Sequence, residues 1–157
     1  MTLAQLEDTL PNGFHDAVLH GVDVRIDENR VILRMAVDLG VYPTPGPLLQ
    51  EAEVILDSLQ MILFDAADPR GRLEAGQSPD INGFTPTETQ FPGLSSVPGE
   101  IRKNLHSIYL GGDWNCFLHV AGEAARIVWK NSKKSEVELA RSSSFERFAP
   151  SQAPRRA

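Results

Sequence analysis

The chain has almost no cysteine. Cys116 stands alone among 157 residues, so no internal disulfide can form and no Cys-x-x-Cys pair exists to hold zinc. That pattern fits a reducing compartment, and a cytoplasmic location is expected. Basic charge is also short: 15 Lys and Arg stand against 21 Asp and Glu, a formal net charge of −6. The densest basic group, Lys130, Lys133 and Lys134, is followed at once by Glu136 and Glu138. Binding to nucleic acid needs a basic face against the phosphates, so no nucleic-acid partner is expected. No apolar run approaches the ~20 residues of a membrane span. The first residues carry Glu7 and Asp8 and lack the basic region and long apolar run of a secretory signal. Catalytic signatures are missing too. There is no GxSxG, P-loop or GxGxxG, and Leu110-Gly111-Gly112-Asp113 has too few glycines to cradle a phosphate. No catalytic residue, metal ligand set or cofactor is expected, and the chain reads as a non-enzyme.

What is present is ordinary globular composition, 41% hydrophobic and 23% charged, at a length that suggests one domain. Leu3, Leu6 and Leu10 recur on one helical face, and Thr2 with Gln5 forms a capping-box pattern, so residues 2–10 read as a short helix. Pro11-Asn12-Gly13 stops it. Two alternating runs, Val18–Ile26 and Val31–Leu39, flank the polar turn Asp27–Arg30 and predict a β-hairpin. In the first run Val18, His20, Val22, Val24 and Ile26 share one side. In the second, Val31, Leu33, Met35, Val37 and Leu39 point inward, with Arg34 and Asp38 outward. Residues 52–65 fit helix or strand, and their β-branched content favours a strand with a bulge at Asp57-Ser58. Residues 68–99 are rich in Pro, Gly, Ser and Thr and read as a long loop. A further short helix is expected over 98–105. The last third reads as a meander: Ser107–Leu110, Trp114–Ala121, a turn at Gly122-Glu123, Ala125–Lys130, and a short strand over Glu136–Leu139. The expected class is α+β, mainly antiparallel β, as a sandwich or half-open barrel with a short N-terminal helix and one further short helix. Residues 1–139 form a single β-rich domain, and residues 140–157 read as a flexible C-terminal tail.

Three residues are candidates for binding: His15, Asp16 and Trp114. His15-Asp16, with His20 five residues on, has the ligand types of a metal site, but no second cluster has a recognisable spacing. Neighbours in an extended segment point apart, so the pair need not converge. The structural alternative is a corner in which Phe14 is buried and Asp16 accepts turn N–H groups. Trp114, beside Gly112-Asp113, suits a surface anchor. Trp129 and Cys116 read as core, and His106 and His119 as half-buried polar residues. Asp23, Asp38, Asp57 and Asp65 read mostly as a solvated face.

Phe14-His15-Asp16-Ala17 before the hairpin, and "DWNCFLHVAGEAARIVW" from Asp113 to Trp129, resemble a group of small uncharacterised bacterial proteins. These open with a Phe-His-Asp-Ala/Ser segment and close on a Trp-containing meander. Some resemble immunity proteins of toxin systems. The resemblance covers most of residues 12 to 131. It implies an immunity-like, protein-binding module without a demonstrated activity, so no catalytic residue carries over. The alternative is a small-molecule- or metal-binding β-barrel with a pocket under residues 68–99, lined by His15, Asp16, His106 or His119. A third option is self-association through an open sheet edge, giving a homodimer.

Overall fold

The computed structural model describes residues 1–40, 48–65, 78–85, 93–111 and 116–130. Helix α1 spans Leu3–Glu7, and the Thr2–Gln5 capping box is formed in both directions. It is shorter than the expected 2–10. The apolar face needs only Leu3 and Leu6, both buried, and the chain then breaks into turns that leave Leu10 packed against the core.

Six strands follow: β1 Ala17–Arg25, β2 Arg30–Asp38, β3 Leu49–Phe64, β4 Asp80–Thr85, β5 Leu105–Leu110 and β6 Cys116–Trp129. A 3-10 turn, Leu94–Ser96, and helix α2, Gly99–Arg102, lie between β4 and β5. α2 stops short of the expected Leu105, because that residue opens β5 and pairs with Ala121. Every neighbouring pair is antiparallel, in the order β1-β2-β3-β6-β5-β4, and the sheet closes into a barrel. The expected mainly antiparallel class with two short helices is therefore present. Closure comes from a short seam, Ala17 opposite Ile81 and Val18 opposite Asp80. The seam carries the hydrogen bonds Asp16 N–H to Ile81 O and Leu19 N–H to Pro79 O, both 3.0 Å.

The core runs along the barrel axis. Val31, Leu33, Met35 and Val37 of β2 face inward as their alternation predicts. Ala52, Val54 and Leu56 of β3 sit opposite them in register. Residues 52–64 are thus strand. Ser58 takes φ 54, but the register slips between Leu59 and Met61, so the bulge expected at Asp57-Ser58 lies beyond it.

Three details of the sequence pattern are corrected. In β1 it is Leu19 that is buried, whereas Val18 is half-buried and His20 exposed, because a bulge between Leu19 and Gly21 shifts the pattern. Gly122-Glu123 is no turn: β6 runs unbroken for 14 residues. Its inward positions change from Cys116, Leu118 and Val120 to Ala125 near Gly122. A Cβ there would lie 3.1 Å from Asp57 O and 3.2 Å from Leu56 Cβ, so the glycine serves close approach to β3. Asp38 keeps its place on the outward-pointing side of β2, opposite Leu49, but it is buried there and not solvated, for reasons given below. The expected long loop over 68–99 is interrupted: β4, the 3-10 turn and the first residue of α2 lie within it, because Ile81 pairs with Ala17 and Leu110 across the sheet. Residues 68–77 and 86–92, Glu136–Leu139 and the tail at 140–157 lie outside the described residues.

Candidate functional site

The corner before β1 is built from backbone outward. Gly13 takes φ 56, and a Cβ there would stand 2.8 Å from Glu7 Oε1, so both conformation and space call for glycine. The Phe14 side chain is only 1% exposed and joins the core. His15 N–H donates to Asn12 O at 3.0 Å, and Ala17 N–H to Phe14 O at 3.1 Å. The Asn12 side-chain amide donates to Gly40 O at 2.6 Å and reaches Asp38 Oδ2 at 3.4 Å, tying the corner to the end of β2. Asp38 Oδ1 in turn accepts the N–H groups of Gly40 and Leu48, each at 2.8 Å. Burying this carboxylate is offset by those bonds, which is why it can lie out of solvent at the end of β2.

Asp16 takes φ 62, in the left-handed region. This bend is what brings His15 and Asp16 together: His15 Nδ1 lies 3.0 Å from Asp16 Oδ2. An extended backbone would have sent the two side chains apart. The pair stands in solvent, with side chains 60% and 61% exposed. Among the described residues Asp16's carboxylate accepts no turn N–H, so the expected capping role is replaced. The seam bond from the Asp16 N–H holds the turn instead. Asp is among the few non-glycine residues that visit this backbone region readily.

Glu7 supports the corner from α1. Burial pushes its carboxyl up to about 7; the Phe14 N–H that it accepts pulls the other way, and neighbouring Asp8 adds to the rise.

The remaining histidines do not join this corner into a metal site. Among the described residues no group of three His, Cys, Asp or Glu is placed to hold an ion. His20 sits between Ser78 Oγ and Glu51 Oε1, each at 3.3 Å. His106 is desolvated, which lowers its pKa. Burial raises the Cys116 thiol, and Asp65 adds to it, so this sulfur is a poor nucleophile. Trp114 lies outside the described residues.

A second polar cluster has no local signature in the sequence. Ser107 Oγ lies 2.7 Å from His119 Nδ1, and His119 Nε2 lies 3.2 Å from Asp65 Oδ2. A carboxylate only accepts, so Nε2 carries the proton toward Asp65 and Nδ1 takes the hydroxyl of Ser107. Phe117 stacks on the imidazole at 5.9 Å between centroids. The three groups come from β5, β6 and the end of β3, and only the register joins them. Ser107 faces His119 directly, and His119 faces Leu63, two residues before Asp65. The order of groups is that of an acyl-transfer triad. Yet Ser107 is 1% exposed and His119 fully buried, so the hydroxyl is not offered to solvent. The chain works as a latch across three strands. The one hint in the sequence was a histidine alternating with Phe117 and Ala121.

No family model matches the sequence, and neither a curated protein nor a solved structure matches it.

Proposed function

We propose that the chain is a non-catalytic, immunity-like protein-binding module whose partner meets the barrel at the His15–Asp16 corner. One observation carries this reading: an exposed His-Asp pair is held in a left-handed turn by a buried phenylalanine and the barrel seam. A fixed surface pair needs little ordering on binding, which favours affinity. The net charge of −6 makes a basic protein the partner of choice, drawn in by electrostatic steering. The resemblance of Phe14-His15-Asp16-Ala17 to a group of small bacterial proteins, some of which resemble immunity proteins, points the same way. The test is capture from native lysate at physiological salt, using wild type and the double variant His15→Ala/Asp16→Gly. A basic protein held by the first and lost by the second is expected. No partner for wild type, or equal capture by both, overturns the reading.

A second reading, a small-molecule-binding or enzymatic barrel, has the Ser107–His119–Asp65 order in its favour. It requires Ser107 to react with a fluorophosphonate probe, with labelling lost in Ser107→Ala. An unlabelled wild type removes it.

A further inference from the structure

Glu7 is the last residue of α1, and its side chain turns in against the corner. A Cβ at Gly13 would stand 2.8 Å from Glu7 Oε1 and 2.9 Å from its Cγ, so the carboxyl lies directly against the glycine. The Phe14 N–H donates to the same carboxyl. Phe14 then enters the core, and two residues on Asp16 takes the left-handed bend that sets it against His15. This half-buried carboxyl has no cation paired with it among the described residues. Gly13 and Phe14 bring no charge, and its charged neighbour on the helix, Asp8, has the same sign. The other charged groups of the elements packed around it are engaged elsewhere. His15 holds Asp16 at 3.0 Å, and Asp38 takes the N–H groups of Gly40 and Leu48. On β6, against which α1 packs, Arg126 holds Asp57 at 3.2 Å and Glu123 meets Gln60 at 3.4 Å. The charged form of such a carboxyl is favoured by water and the neutral form by burial.

We propose that a proton on the Glu7 side chain gates the His15–Asp16 corner. With the proton on, the carboxyl stays against Gly13 and accepts the Phe14 N–H through its carbonyl oxygen. With the proton off, the carboxylate turns out to water and takes the end of α1 with it. The Phe14 N–H then loses its acceptor, and Gly13 is free to leave its left-handed conformation. The bend at Asp16 loses its anchor, and the His15–Asp16 pair comes apart. The direction follows from burial, which raises this carboxyl from 4.5 to about 7. Closure therefore takes up a proton and weakens as pH rises from about 4.5 to about 7. The gate rests on the reading of this corner as a binding surface and adds its regulation: a partner that needs the closed corner is held more tightly at acid pH.

The experiment follows amide hydrogen exchange of the full chain by NMR, with no partner present, from about pH 5 to about pH 7.5. Each rate is expressed as protection relative to an unfolded peptide at the same pH. Phe14 and Ala17 report the corner, and Leu33, buried in the middle of β2, reports the barrel. In wild type the two corner amides are expected to exchange sooner than Leu33 at every pH, as a local opening requires. Their protection is expected to fall at least about fivefold from the acid to the neutral end. Glu7→Gln keeps an acceptor for the Phe14 N–H without the charge, and its corner protection is expected to stay level. Histidine titrates in the same range, so His15→Ala is the control, and it is expected to keep the fall. Level protection in wild type, the same fall in Glu7→Gln, its loss in His15→Ala, or corner amides that exchange no sooner than Leu33 would overturn the gate. The readout needs no partner, so it decides the gate separately from the corner's role in binding, which capture from lysate decides.

Discussion

Ser107 and His119 face each other across β5 and β6 with 2.7 Å between Oγ and Nδ1, both out of reach of solvent. Removing the hydroxyl takes a donor from a buried acceptor, which costs roughly 1–3 kcal/mol. Ser107→Ala is therefore expected to lower the urea midpoint with an unchanged slope. His119→Ala also empties a filled space under Phe117 and costs more, about 3 kcal/mol. If Ser107→Ala is as stable as wild type, the latch contributes nothing.

Asp38 gathers two backbone N–H groups, from Gly40 and Leu48, on one buried oxygen. Asp38→Ala leaves both without their acceptor, and a loss of about 3 kcal/mol is expected. Asp38→Asn keeps an oxygen in place and should lose less. Chemical denaturation of the two variants gives the order directly.

At Asp16 the backbone, not the carboxylate, sets the cost. Glycine adopts φ 62 freely, so Asp16→Gly is expected to melt within a degree or two of wild type. Asp16→Ala costs about 1 kcal/mol, or roughly 2–4 °C, and a β-branched Asp16→Val costs more. His15→Ala should be nearly neutral, because exposed ion pairs contribute little. Calorimetry that ranks alanine above glycine would refute the backbone account.

Glu7 gives the pH dependence a sign. Its carboxyl is raised from 4.5 to about 7, so the folded chain holds a proton that the unfolded chain releases in this window. The associated stability is present below about pH 4.5 and lost as pH rises to about 7. Glu7→Gln keeps an acceptor for the Phe14 N–H and carries no charge. It is expected to melt like wild type at the acid end and above it at the alkaline end. The gap should be only a few degrees, since the half-exposed carboxyl is partly screened. A gap that is constant across the range would contradict the assignment.

Much of the fold was legible because strand alternation is a local property. The inward row Val31, Leu33, Met35, Val37 could be read directly, as could the hairpin and the Thr2–Gln5 cap. What escaped was set by partners far along the chain. The bulge at Leu19–Gly21 inverted the first half of β1. Gly122 looked like a turn because glycine often makes one, while here it answers the crowding of Asp57 and Leu56 across the sheet. The pair His15-Asp16 was visible, but its convergence depends on one positive φ that no pattern announces. The Ser107–His119–Asp65 chain joins segments 12 and 54 residues apart, so only the register reveals it.

The seam between β1 and β4 has a consequence in time. It joins residue 17 to residue 81 through two pairs, whereas β3 and β6 zip together along most of their length. Late, long-range closure of this kind forms last in folding and opens first in fluctuation. The amides of Asp16 and Leu19, which donate across it, should exchange with deuterium sooner than those in the middle of β3 and β6. Asp16 thereby belongs to the least protected part of the ring. The geometry that sets its carboxylate against His15 lasts only while the ring is shut, so the dwell time of that clasp bounds how long the corner is on display.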